Sequence, residues 1–308
     1  MQSRALALVL MNSMRRVGDR TRLHNPVHRR LVRELFDLAG RRPLARGTRV
    51  TPVAAAGVRG RWIAARTADE DAGAILYLHG GGFVFGGPAA HRHLVAELSA
   101  ASGLPAALLE YRRAPEHPFP AAADDALAGY RWLLDAGYPA ERIVLAGDSA
   151  GGHLTAGLLA DLNRRRLPMP AAAVLLSPFL DLTGAALDAR DAARRDPFVP
   201  PERARECGLA YAGGRAFTHR RLDVLKGDKR RWPPVLIQVG DTECLLGDSE
   251  RLAEAIWAAG GHCDLQVWPG QVHVFPAFFP LIPEGRDALR HAGRFLRAAV
   301  GDPVAATA

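Results

Sequence analysis

The chain has 308 residues, 48% of them hydrophobic and 23% charged, a globular balance that excludes a disordered or fibrous protein. No stretch approaches the roughly 20 uninterrupted apolar residues of a membrane helix, so stable membrane insertion is not expected. The net charge of +8 is carried by arginines spread from Arg4 to Arg297. No face or helix concentrates them, which argues against nucleic-acid binding.

In chain order, Arg4 and the apolar run 5–11 read as an amphipathic helix and not as a secretory signal. The run is short, no small-residue cleavage site follows it, and Arg15 and Arg16 come directly after. Residues 1–48 read as helical, with Leu31, Leu35 and Leu38 on one face of 29–38. From about residue 58, strands at 60–66, 74–78, 106–110, 142–146, 172–176, 235–239 and 264–268 alternate with helices at 91–101, 122–136, 150–163, 248–259 and 284–300. Several of these strands are continuously apolar, as in a sheet buried on both faces. The alternation predicts an α/β protein with a mostly parallel central sheet flanked by helices. Residues 183–230 interrupt the rhythm with a charged, proline-rich insertion, too long to be an ordinary loop. The expected organisation is a catalytic domain over 49–308, with residues 1–48 and 183–230 forming a helical cap. Cys207, Cys244 and Cys263 form no CxxC pair and no even disulfide framework, which fits core thiols in a reducing cytoplasm.

Gly147-Asp148-Ser149-Ala150-Gly151-Gly152 joins a predicted strand to a predicted helix. This Gly-x-Ser-x-Gly turn is the nucleophile elbow described for α/β hydrolases. The serine is held strained so that its hydroxyl projects, and a Cβ at 147 or 151 would strike neighbouring backbone. About 70 residues upstream, His79-Gly80-Gly81-Gly82-Phe83 leaves bare N–H groups free to converge on an oxyanion. The expected donors are Gly81, Gly82 and Ala150. A serine hydroxyl needs a base, itself oriented by a carboxylate. His273 follows the last strand, where an open sheet meets its ligands, and is the expected base. His262 and His291 read as surface residues. For the acid, Asp241 and Glu243 both follow the strand 235–239, and their shared parity leaves the choice open. Asp248 is set aside as the N-cap of the next helix.

Together with Tyr111–Pro120, Asp196-Pro197 and Val272–Phe275, these motifs resemble the hormone-sensitive-lipase-like branch of the α/β-hydrolase esterases, from about residue 73 to 295. The resemblance implies an α/β-hydrolase fold and hydrolysis of short-chain esters or lactones without cofactor or metal. It implies an acyl-enzyme on Ser149, with His273 as general base. In most relatives the acid is the aspartate of an Asp-Pro-Leu tripeptide. Here that slot reads Glu243-Cys244-Leu245, so the carry-over lands on Glu243, as in a subgroup resembling monoterpene lactone hydrolases, with Asp241 the alternative. Arg113 replaces a usually apolar residue and is expected to affect packing alone. Asp148, Glu116 and Asp124 are expected to be structural. Phe83, Phe85, Phe198 and Tyr211 are the expected substrate-pocket walls. A non-catalytic binding protein on this scaffold would have lost part of the triad, and here every part is present. The partner implied is a small-molecule ester, and the edge strand near 264–268 offers a surface for a homodimer.

Overall fold

A computed structural model describes Arg15, Leu23 and residues 25–55 and 57–301; the expected helix at 5–11 lies outside the described residues. The strands are β1 (Arg49–Ala55), β2 (Val58–Ala64), β3 (Ala74–Leu78), β4 (Ala106–Leu109), β5 (Ile143–Asp148), β6 (Ala172–Leu176), β7 (Val235–Gly240) and β8 (Cys263–Trp268). They form one eight-stranded sheet in the order β1-β2-β4-β3-β5-β6-β7-β8. The pairings from β4 across to β8 are parallel. The β1–β2 and β2–β4 pairings are antiparallel.

Apolar alternation builds two layers. Leu76, Leu78, Leu145 and Leu175 face one core, with Leu127, Leu154 and Leu158 packed against them. Ile75, Tyr77, Val144 and Val174 face the other, with Leu94, Leu98, Leu289 and Leu296. Successive strand residues point to opposite faces, so strands apolar at every position serve both cores. The first core takes α3 (Ala121–Asp135), α4 (Ala150–Arg165) and α7 (Leu246–Ala258); the second takes α2 (Pro88–Ser102) and α8 (Pro283–Val300).

The hairpin partner β1 is absent from the sequence-based expectation. Six of its seven residues are exposed, so no hydrophobic alternation marks it. Preceding it, α1 (Pro26–Ala39) is capped by the Asn25 side chain, which accepts from the N–H of Val27 at 2.9 Å and His28 at 3.2 Å. The insertion after β6 folds into α5 (Leu187–Ala193) and α6 (Pro201–Ala212), followed by irregular chain. Arg221 anchors that irregular stretch, pairing with Asp124 and Asp161, both at 2.8 Å.

Register places the site. Leu78, the last residue of β3, pairs with Gly147 of β5; Asp148 pairs with Leu176, and Gly240 with Trp268. The segments leaving β3, β5, β6, β7 and β8 therefore emerge at the same carboxyl edge, where open α/β sheets meet ligands.

Candidate active site

Ser149 links β5 to α4 with φ 52° and ψ −118°, a sparsely populated conformation that surrounding contacts must hold. Its N–H donates to the Leu176 carbonyl at 2.8 Å, and its own carbonyl accepts from Phe179 N–H at 3.0 Å. Gly151 must be glycine because an added Cβ would lie 1.9 Å from the Leu78 carbonyl oxygen. Gly151→Ala is expected to destabilise the protein by about 3 kcal/mol, since rigid backbone has to move; the urea midpoint measures this.

His273 Nε2 lies 2.9 Å from Ser149 Oγ, and its Nδ1 lies 2.7 Å from Glu243 Oε2. Glu243 is fully buried. Its Oε1 accepts from Ser177 Oγ at 2.7 Å and from Gly240 N–H at 2.6 Å. Ser177 Oγ also accepts from Val274 N–H at 3.0 Å, so one hydroxyl ties the acid to the loop carrying the imidazole. Burial alone would lower the pKa of His273. The hydrogen bond and charge of Glu243, with the charges of Asp196 and Asp148, outweigh burial and leave it above its ordinary 6.5.

Asp241 stands elsewhere. Its Oδ1 accepts from Gly270 N–H at 2.6 Å and its Oδ2 pairs with Arg194 at 2.9 Å, bracing the turn before His273. The chain turns directly after β7, with Glu243 N–H bonded to the Gly240 carbonyl, so strand parity does not extend to residues 241 and 243. Asp248 does not cap α7, which has Leu245 at its N-cap. It is buried and accepts from the N–H groups of Leu180 at 2.7 Å and Asp181 at 2.9 Å. Its burial outweighs these bonds and pushes its pKa up to about 6.

Gly81 and Gly82, with φ of 109° and 59°, lie in the segment leaving the carboxyl end of β3. A Cβ on Gly82 would fall 2.6 Å from Cys207 Sγ of α6, so a side chain there collides with the helix above. Among the described residues, no acceptor takes the N–H of Gly81, Gly82 or Ala150. The Gly80 N–H, by contrast, donates to Asp148 Oδ1 at 3.0 Å. Tyr77 Oη donates to the same carboxylate oxygen at 2.8 Å, and His91 Nε2 lies 3.3 Å from Asp148 Oδ2. Burial would raise the Asp148 pKa, but His91 and the Tyr77 bond hold it low. A buried anion thus fixes the start of the glycine loop from behind.

Of the four expected pocket aromatics, Phe198 lies 5.8 Å from the His273 ring, centroid to centroid. Phe83 and Tyr211 are buried and stacked on each other at 3.9 Å, joining the glycine loop to α6. Phe85 stacks on Phe36 of α1 at 6.4 Å. Glu116 pairs with Arg33 at 2.8 Å, and Arg113 donates to the Gly86 carbonyl; all three hold α1 or the glycine loop in place.

Two contributors escaped the sequence reading. Ser177 is one, immediately after β6 at the active edge. The other is Asp196, whose Oδ1 accepts from Phe198 and Val199 N–H (2.8 and 2.9 Å) and whose Oδ2 accepts from Cys244 N–H at 2.9 Å. This buried carboxylate joins the segment beside the imidazole to the residue following Glu243. The Asp-Pro pair marked the position but not its role.

Among the described residues, no group of three or more His, Cys, Asp or Glu is arranged to hold a metal ion. No described helix is long and apolar enough to cross a membrane.

A strained serine at a strand-to-helix turn, bonded to a histidine and backed by a carboxylate on a sheet of this order, defines an α/β hydrolase. A family model described as alpha/beta hydrolase fold matches residues 75–277. An acetyl-hydrolase of Streptomyces hygroscopicus is 42% identical over 243 residues, 78% of this chain and 80% of the relative. The crystal structure of EstE5 soaked with p-nitrophenyl butyrate has a TM-score of 0.89 at 34% identity, covering 98% of this chain and 100% of that one. A hormone-sensitive lipase from a metagenome library also gives 0.89, at 35% identity over 97% and 99% of the two chains. The chain belongs to the hormone-sensitive-lipase-like branch of the α/β-hydrolase family, and it is a carboxylic ester hydrolase.

Proposed function

We propose that this chain hydrolyses short-chain carboxylic esters, lactones included, through an acyl-enzyme on Ser149. His273 takes the hydroxyl proton as Ser149 attacks the carbonyl, then gives it to the leaving alcohol; water releases the acid by the reverse route. Glu243 holds the imidazole with its proton on Nδ1 and stabilises the imidazolium. The amides of Gly81, Gly82 and Ala150 receive the oxyanion. The observation that carries this reading is the unbroken hydrogen-bond chain from Ser149 Oγ through His273 to Glu243, together with the amides of Gly81, Gly82 and Ala150, which no acceptor takes among the described residues. The short acyl preference draws on the relative named an acetyl-hydrolase and on the neighbour soaked with p-nitrophenyl butyrate.

An organophosphonate adduct located by peptide mapping tests the nucleophile; modification anywhere but Ser149 contradicts the scheme. A p-nitrophenyl ester panel, with terpene lactones alongside, tests the substrate class. Residues 1–48 and 183–230 are read as the cap over the site, and the protein as cytoplasmic. The reading extends to a two-fold homodimer paired through the β8 edge, where Val267 is exposed; a monomeric mass in solution contradicts it.

Because His273 must be neutral to accept a proton, kcat/KM is expected to rise with pH through an apparent pKa above 6.5. Asp196→Asn removes one of the charges that raise it, and the inflection is expected to move to lower pH. A purely structural role for Asp196 would lower the rate without moving the inflection.

A further inference from the structure

A cavity of about 440 Å³ lies outside the site just described, between the segment joining α1 to β1, the end of β2, the exposed side of α2 and the chain entering α8. That size falls within the roughly 300–1,000 Å³ of small-molecule sites. Ser149, His273 and Glu243 do not line it. Leu44, Ala65 and Phe279 give it apolar wall, and Arg42, Arg46 and Arg66 stand around the same space. Its one carboxylate, Glu97, is already engaged by Arg286 at 3.6 Å, and that guanidinium sits over the Phe279 ring at 5.7 Å. Arg42, Arg46 and Arg66 have no ion pair among the described residues, whereas nearby Arg49 pairs with Glu70 at 2.7 Å. His93 adds a donor, but its Nε2–H is spent on the Arg42 carbonyl at 3.0 Å.

Three arginines lining one concavity repel each other unless an anion stands among them. Their planar forks match a carboxylate or phosphate, and the apolar wall beside them suits a hydrocarbon chain. We propose that this cavity binds an amphiphilic anion. Its chain lies against Leu44, Ala65 and Phe279, and its carboxylate or phosphate head sits among Arg42, Arg46 and Arg66.

Calorimetric titration of the whole chain, with its nucleophile blocked by the phosphonate, tests this; decanoate and decyl phosphate are the probes and decanol the uncharged control. One decanoate or decyl phosphate is expected per chain, with binding weakened by salt as an ion contact must be; the two probes separate the head groups. Arg66→Glu, at an exposed position, is expected to weaken binding more than tenfold while leaving turnover of the unblocked enzyme unchanged. Ala100→Trp, at the exposed rim, keeps every charge and fills the space, and is expected to give a similar loss. Equal binding in wild type and both variants overturns the proposal. So does decanol binding as tightly as decanoate, or no binding of either anion to the blocked enzyme.

Discussion

Ser149→Ala is expected to lower kcat on p-nitrophenyl acetate by about 10⁶-fold, the scale seen when a triad serine is removed. No other hydroxyl is bonded to His273 among the described residues, so no second alcohol stands ready to take the acyl group. A residual rate of about 10³–10⁴ over water is expected from the amides and substrate binding alone. In the proposed mechanism the serine and histidine act as one unit, so Ser149→Ala with His273→Ala is expected to be no slower than either single variant. The fold is expected to survive, since the backbone bonds clamping residue 149 to Leu176 and Phe179 do not involve the hydroxyl. Urea unfolding alongside the kinetics separates the two effects. A Ser149→Ala enzyme within tenfold of wild type would remove the acyl-enzyme from the mechanism.

The sequence announced those features whose physics is local. A strand buried on both faces must be apolar at every position, and β3, β5, β6 and β7 are largely so. A serine forced to positive φ between close-packed backbones needs glycine at 147 and 151, and that spacing is readable. What could not be read depended on contacts between distant segments. The exposed strand β1 is specified by its pairing with β2 and has almost no hydrophobic pattern of its own. Asp248 has the residue type and position of a helix cap, yet its carboxylate serves the Leu180–Asp181 backbone, 67–68 residues away in sequence. Ser177 looks like any polar residue after a strand until Glu243 and Val274 arrive from two other segments. The residues' own chemistry did not separate Asp241 from Glu243, because the two differ by where the chain bends after β7; the family's tripeptide slot is what pointed to Glu243.

Glu243→Gln is expected to lower kcat by about 10⁴-fold, the scale for an acid replaced by its isosteric amide, whereas Asp241→Asn is expected to cost less than tenfold. The difference follows from how each carboxylate is surrounded. Glu243 accepts three bonds, from His273, Ser177 and Gly240, and an amide cannot accept at both ends. If the glutamine turns its NH₂ toward His273, it donates to Nδ1 and leaves the proton on Nε2, the tautomer unable to take a proton from Ser149. If it turns its oxygen there, the NH₂ confronts the Gly240 N–H, two donors where a 2.6 Å bond stood. Either orientation damages the site, and the buried position denies water as a substitute partner. The Asp241→Asn variant would keep an oxygen for Gly270 N–H and lose mainly the ion pair with Arg194. That pair is about half exposed on the arginine side, and such pairs contribute roughly 0–1 kcal/mol. The comparison is decided by kcat/KM of the two variants on one ester: if Asp241→Asn is the crippled enzyme and Glu243→Gln the healthy one, the imidazole is oriented by a rearranged loop and Glu243 is a structural brace.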